Sequence, residues 1–161
     1  MGKRMATSLL LSSGMTGHEL RYPVRDFMTP APHSIGRDQP LSVAIDRMRG
    51  FDVRHLPVLD GGRLVGVLSQ RDVLFVETLR DIDPKTVTVE EAMSTEVYAV
   101  APQTSLADVA KEMAHHKYGC VVVVEGARVA GIFTSVDALS VLVAMLEQAA
   151  PGESTRSLRT A

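Results

Sequence analysis

The sequence predicts an α/β protein of two β-α-β-β-α half-domains packed by pseudo-twofold symmetry. The first observation is a duplication: residues 24–76 align with residues 89–141 at a constant offset of 65, with eleven identities over 53 positions. The second is that both copies show the same order of helical spacing and short apolar runs. Two copies of this size indicate paired half-domains, because an open solenoid usually needs at least about three repeats.

The elements of each copy follow in a fixed order. A short helical turn at 24–28 or 89–93 leads to an extended segment at 33–35 or 97–100. Apolar residues from Leu41 or Leu106 onward recur at i, i+3, i+4 and i+7, which predicts an amphipathic helix. Strands at 55–59 and 64–68, or at 120–124 and 129–133, flank a glycine turn and predict a hairpin. A closing helix begins near residue 69 or 134.

The domain boundaries follow from the repeat. We expect the first half-domain at 22–80, a polar linker containing Pro84 at 81–88, and the second half-domain at 89–148. Residues 1–21 and 149–161 show no sustained periodicity, so we expect both ends to be flexible.

Composition excludes several classes of protein. The net charge of -2 leaves no cationic surplus for binding a nucleic acid backbone, and the chain contains no Trp. Its apolar runs are shorter than the roughly 20 residues of a membrane span. A single cysteine, Cys120, rules out a disulfide within the chain, and no signal peptide is recognisable. We therefore expect a cytoplasmic protein that contacts neither nucleic acid nor membrane.

Four phrases carry a resemblance to a known family: MTP at 28–30, RHLPV at 54–58, GVLSQRD at 66–72 and GIFTSVD at 131–137. Together with the duplication they resemble a tandem pair of CBS domains, a Bateman module, over about residues 22–148. The resemblance implies a regulatory module that binds an adenosine-containing ligand in clefts between the repeats. It also implies a disc-like homodimer that acts on a regulated protein, which the sequence does not identify.

The glycine-containing phrases also have a physical interpretation. A strand ending at Ser69 or Thr134 runs into a helix whose first N–H groups attract anions, and an Asp follows three residues later. The resemblance assigns the ribose to Asp72 and Asp137, and ribose or phosphate contacts to Ser69 and Thr134. The same spacing is typical of a helix capping box, which is equally consistent with either copy taken alone.

Basic residues occur near the motif in the first copy only. Arg54, His55 and Arg71 correspond to neutral residues in the second copy, and Ser34 corresponds to an alanine. By the resemblance, Ser34 contacts phosphate or ribose, and the basic residues serve the phosphate of a nucleotide whose ribose lies on Asp137. For Arg71, a solvated side chain is as good an explanation.

Apolar residues supply the expected adenine slot. By the resemblance its walls are Ile35, Leu56, Pro57, Val100, Val121 and Val122. Plain core packing is the alternative for each of these residues.

The resemblance implies binding of AMP, ADP or ATP, with a ligand-dependent change in conformation or association, and the basic residues favour a ligand with a phosphate. We expect no other cofactor and no metal. We expect no catalysis, because His115 and His116 are adjacent and point about 100° apart on a helix, and no nucleophile or phosphate-loop motif is present. The helix at 136–146 is apolar on more than one face, which favours a homodimer. A ligand-independent interaction scaffold and a sensor of S-adenosylmethionine or a cyclic dinucleotide are the alternatives.

Overall fold

The computed structural model describes residues 22–79 and 83–149. The strands are β1 (Thr29–Pro30), β2 (Ile35–Gly36), β3 (His55–Asp60), β4 (Arg63–Ser69), β5 (Ala99–Val100), β6 (Cys120–Glu125) and β7 (Arg128–Thr134). The helices are α1 (Leu41–Phe51), α2 (Gln70–Glu77), α3 (Val89–Ala92), α4 (Leu106–His116) and α5 (Ser135–Ala149), preceded by a 3-10 turn at Val24–Asp26. The two ends predicted to be flexible lie outside the described residues, apart from Ala149. None of the described helices is long and apolar enough to cross a membrane.

Two sheets carry the predicted order of elements, which confirms the α/β fold class and its repeat. The first sheet has the order β2-β3-β4 and the second β1-β7-β6-β5. In each sheet a hairpin lies beside a short parallel strand, β2 on β3 or β5 on β6. The hairpin turns contain Gly61 and Gly126 at φ 54° and 61°, backbone angles that an L side chain rarely adopts.

The repeats exchange strand segments, which the sequence did not predict. Thr29 of β1 pairs antiparallel with Ile132 of β7, in the other repeat. At the equivalent positions Ser94 pairs with Val67, joined by two backbone hydrogen bonds of 3.0 Å. Each repeat thus extends the sheet of its neighbour.

The cores are exchanged in the same way. Val24, from the 3-10 turn, is buried with Val109 and Phe133 of the second repeat, and Val89 of α3 is buried among residues of the first. The N–H of Leu106 donates to the carbonyl of Tyr22 at 2.7 Å, and the equivalent bond at Leu41 measures 2.8 Å. Each hydrophobic core is therefore completed by the N-terminal turn of the other repeat, although each turn directly precedes its own copy in the sequence.

Candidate ligand-binding cleft

A cleft of about 1170 Å³ lies between the repeats. The strand-to-helix junctions of both copies, β4 to α2 and β7 to α5, open into it. Its volume slightly exceeds the roughly 300–1,000 Å³ of an ordinary small-molecule site. The two candidate ribose motifs therefore share one continuous space.

The first motif forms a capping box at the start of α2. The backbone N–H and the hydroxyl of Ser69 donate to Oδ2 of Asp72 at 2.8 and 2.6 Å, and the N–H of Asp72 donates back to Ser69 Oγ at 3.2 Å. A carboxylate has about four acceptor positions, so this cap and a contact to a ribose hydroxyl are compatible at Asp72.

The second motif repeats the arrangement at the start of α5. The N–H and hydroxyl of Thr134 donate to Oδ2 of Asp137 at 3.0 and 2.8 Å, and the N–H of Asp137 donates to Thr134 Oγ1 at 3.3 Å. Asp137 is buried, with 7% of its surface exposed. The capping alternative is therefore realised in both copies, and it holds each carboxylate at the wall of the cleft.

The charges around the two motifs differ. The carbonyl of Arg54 accepts from the N–H of Gln70 at 2.8 Å, which places Arg54 beside the first turn of α2, where Arg71 also lies. At the start of α5 the carbonyl of Gly119 accepts from the N–H of Ser135 at 3.1 Å. The neutral Gly119 thus stands at the position of Arg54, as the sequence predicted.

His55 links the two halves of the cleft. A Cβ at Gly119 would lie 2.8 Å from Nε2 of His55, so the imidazole occupies the space that a side chain at Gly119 would need. Burial lowers the pKa of His55 below its ordinary value of 6.5; the Asp72 carboxylate opposes this shift, and Arg54 and Arg71 add to it. The ring is therefore held towards its neutral form at physiological pH.

The thiol of Cys120 also lines the cleft. Burial raises the pKa of Cys120 to about 12, with a smaller contribution from the Asp72 carboxylate. A thiol with this pKa is protonated at neutral pH, so Cys120 is a poor nucleophile.

The structure brings together eight of the residues predicted from the sequence. Those that line the cleft are Arg54, His55, Ser69, Arg71, Asp72, Val122, Thr134 and Asp137. The other six lie outside its lining: Ser34, Ile35, Leu56, Pro57, Val100 and Val121. Leu56 and Val121 are fully buried and Ile35 nearly so. The side chains of these three residues therefore pack in the cores, which was the alternative to an adenine wall. The carbonyl of Ser34 accepts a hydrogen bond from the guanidinium of Arg47. Adenine contact by the five apolar residues, and phosphate or ribose contact by Ser34, stay predictions.

Aromatic residues at the cleft were missed in the sequence. The Tyr98 and Tyr118 rings stack with centroids 5.5 Å apart, and both line the cleft. His33, at the position equivalent to Tyr98, also lines the cleft and stacks on Phe51 at 3.6 Å. The repeat alignment could have identified these positions, because the offset of 65 pairs the aromatic residues at 33 and 98.

Metal ligands are not assembled in the part of the chain that the structure describes. No group of three or more His, Cys, Asp and Glu residues within 22–79 and 83–149 could hold an ion. These residues give no support for a metal centre.

Comparison with known proteins places these features in a family. A family model of the CBS domain matches residues 24–77 and 89–144. The chain is 31% identical to hypoxic response protein 1 of Mycobacterium tuberculosis over 114 residues, which cover 70% of this chain and 80% of that protein. A hypoxic response protein solved with two coordinated zinc ions has a TM-score of 0.65 at 28% identity, over 73% of this chain and 97% of that one.

Two similar structures contain adenosine derivatives. The CBS domain pair of protein MJ0100, in complex with 5′-methylthioadenosine and S-adenosyl-L-methionine, has a TM-score of 0.70 and 26% identity over 76% of this chain and 97% of that one. CBSX2 in complex with AMP has a TM-score of 0.68 and 28% identity over 78% and 98%.

Proposed function

Since the chain belongs to the CBS domain family, we propose that it is a regulatory module that binds an adenine nucleotide, AMP, ADP or ATP, in the cleft between its repeats. The observation that carries the proposal is the pair of matched motifs, Ser69–Asp72 and Thr134–Asp137, at the wall of one cleft. A carboxylate at such a wall accepts hydrogen bonds from the vicinal hydroxyls of a ribose.

The choice of a phosphorylated ligand is supported by the cations beside the first motif. Arg54 and Arg71 line the cleft, and a guanidinium binds phosphate through paired hydrogen bonds. The AMP complex of CBSX2 supports the same class of ligand. S-adenosylmethionine, found in the MJ0100 complex, is the alternative ligand.

Regulation requires that the ligand bind two states of the module unequally. The exchanged strands and cores provide the mechanical link, because a ligand between the repeats contacts both hydrophobic units at once. We propose that binding changes the fit of one repeat against the other, and that a regulated protein responds to this change. The cytoplasm is the proposed compartment.

Thermal unfolding of nucleotide-stripped protein tests the proposal. AMP, ADP, ATP and S-adenosylmethionine are each added to folded protein, and a ligand at 100 times its Kd stabilises by roughly 2.7 kcal/mol. We expect a rise in Tm with at least one phosphorylated nucleotide, reduced in Asp72→Ala or Asp137→Ala. Stabilisation by S-adenosylmethionine alone would select the alternative ligand, and no stabilisation by any of the four would refute the proposal.

A second candidate function, a ligand-independent interaction scaffold, is favoured by the exposed apolar surface of α5. Side chains between 42% and 61% exposed occur along this helix: Val136, Leu139, Leu142, Val143, Met145 and Leu146. A surface of this kind is typical of a protein interface, and we propose that a second copy of the chain covers it.

Light scattering tests the dimer. Leu139→Glu combined with Leu146→Glu is expected to convert a dimer to a monomer, whereas Lys111→Glu, on the exposed surface of α4, is the charge-changing control. A dimer that persists in the double variant would place the interface elsewhere, and dimerisation unaffected by nucleotide would favour the scaffold.

A further inference from the structure

The two motifs share one cap geometry but differ in the side chains that flank it. Arg54 and Arg71 flank the first motif, and the equivalent residues at the second are Gly119 and Val136. All four line the cleft. The matched capping bonds differ in length by no more than 0.2 Å (2.8, 2.6 and 3.2 Å against 3.0, 2.8 and 3.3 Å), so the contrast lies in the flanking charge.

The arginines are available to a ligand. Both are exposed, and within residues 22–79 and 83–149 neither guanidinium forms an ion pair with a carboxylate. Arg37, by comparison, pairs with Asp60 and Glu90 at 3.4 and 3.6 Å. Two guanidinium groups beside one motif suit a phosphate, since hydrogen bonds between a guanidinium and a phosphate are charge-assisted and stronger than bonds between neutral groups.

The second motif lacks this provision. Val136 is 59% exposed, and Gly119 has no side chain. Neither of these two positions therefore supplies a cation to offset the hydration that a bound phosphate would lose. The aromatic pair Tyr98 and Tyr118 in the same cleft offers apolar faces instead.

Other charged residues in the cleft have to be weighed. Asp52 and Lys117 occupy equivalent left-handed positions after α1 and α4, at φ 52° and 59°. Asp52 adds a negative charge to the first repeat's side of the cleft, and Lys117 adds a positive charge to the second repeat's side. Glu96 adds a negative charge in the second repeat. Lys117 is the one lysine that lines the cleft among the described residues, so its removal is a necessary control.

We propose that the two motifs bind unlike ligands: Asp72, with Arg54 and Arg71, takes a phosphorylated adenosine, and Asp137, flanked by Gly119 and Val136, takes an adenosine derivative without a phosphate. This inference rests on the proposed function. It differs from the expectation that the phosphate belongs to a nucleotide on Asp137, because Arg54 and Arg71 adjoin the start of α2, the helix that carries Asp72.

Isothermal titration of nucleotide-stripped protein with AMP and with 5′-methylthioadenosine tests it. We expect one tight AMP per chain. Asp72→Asn should weaken the affinity for AMP at least tenfold and the affinity for 5′-methylthioadenosine less than twofold. Asp137→Asn should weaken the affinity for 5′-methylthioadenosine at least tenfold and the affinity for AMP less than twofold. Lys117→Ala should change neither affinity by more than twofold.

A charge exchange at equivalent exposed positions provides the second measurement and avoids disturbing the caps. Arg71→Val should weaken the affinity for AMP about tenfold and leave the affinity for 5′-methylthioadenosine unchanged. Val136→Arg should add a second bound AMP per chain. Val136→Gln, which is polar but uncharged, should not add one.

The outcomes separate this inference from the proposed function. Two equal AMP sites in the unaltered protein, or loss of AMP in Asp137→Asn but not Asp72→Asn, would overturn the assignment of unlike ligands and leave nucleotide binding intact. Absence of binding by both probes to folded, empty protein would overturn the inference, and the proposed function would fall with it only if ADP and ATP also failed to bind.

Discussion

The side chain of Met28 lies against the Cα of Gly131, in the opposite repeat. A Cβ at Gly131 would overlap Sδ of Met28 and lie 2.7 Å from its Cγ. The equivalent pair is Met93 and Gly66, where a Cβ would lie 2.5 Å from Sδ and 2.9 Å from the carbonyl oxygen of Ser94. These two contacts lock the exchanged segments in place, so the glycines serve the association of the repeats.

Gly131→Ala is expected to lower the free energy of unfolding by about 1–3 kcal/mol, the usual range for an overpacked site. Urea denaturation measures the loss. Met28→Ala in the same chain should recover part of it by removing the overlapping atoms. Gly50→Ala is the control: nothing lies within 4 Å of its added Cβ, and alanine favours the helix by about 1 kcal/mol. A Gly131→Ala variant as stable as the unaltered protein would contradict the packing role.

Removal of a cap should destabilise the protein in the absence of nucleotide. Thr134→Val deletes the hydroxyl that bonds Asp137 and should cost about 1 kcal/mol, measured by the same denaturation. Thr134→Ser keeps the hydroxyl and should recover most of the stability. Equal stability of the two variants would show that the two bonds of the Thr134 hydroxyl do not contribute.

His55 should make stability depend on pH. Because its pKa is lowered on folding, the unfolded chain takes up the proton first as pH falls below about 6.5, and the folded state then loses stability. The slope for one proton is at most about 1.4 kcal/mol per pH unit. Unfolding free energies at pH 7.5 and 5.5 should therefore fall more in the unaltered protein than in His55→Gln, and an equal fall in both would refute the assignment.

Cys120 should resist alkylation. Its pKa of about 12, against 9.0 for an ordinary thiol, leaves roughly 1000-fold less thiolate at pH 8. Mass spectrometry after iodoacetamide treatment should show little modification of the folded protein and complete modification in urea. Rapid labelling of the folded protein would mean that the thiol is more accessible than its surroundings indicate.

The sequence predicted local structure well where periodicity is strong. The stripe beginning at Leu41 and the apolar run at Cys120 are the helix and strand that were expected, because hydrophobic spacing reports which face of an element is buried. The Ser69–Asp72 spacing likewise identified a residue pair that bonds across one helical turn.

Part of the candidate cleft could not be predicted in this way. Tyr118 and Lys117 line it because a left-handed residue at Lys117 turns the chain after α4, and no periodic pattern reports such a turn. Leu56 and Val121 share the apolar character of a ligand wall, but they face the cores. Apolar composition does not distinguish the two surfaces of a strand buried on both sides.

The sequence by itself determined the duplication, the order of elements within each repeat and the two capped carboxylates, since each depends on spacing along one short segment. The tertiary structure decided which repeat receives each N-terminal turn, that both motifs open into one cleft, and that His55 lies against Gly119. These features depend on contacts between residues that are far apart in the sequence; Gly119 and His55, for example, are 64 positions apart. Such contacts follow from the packing of two apolar faces against each other. Local spacing along the chain shows which face of an element is apolar, but it does not specify which other face packs against it.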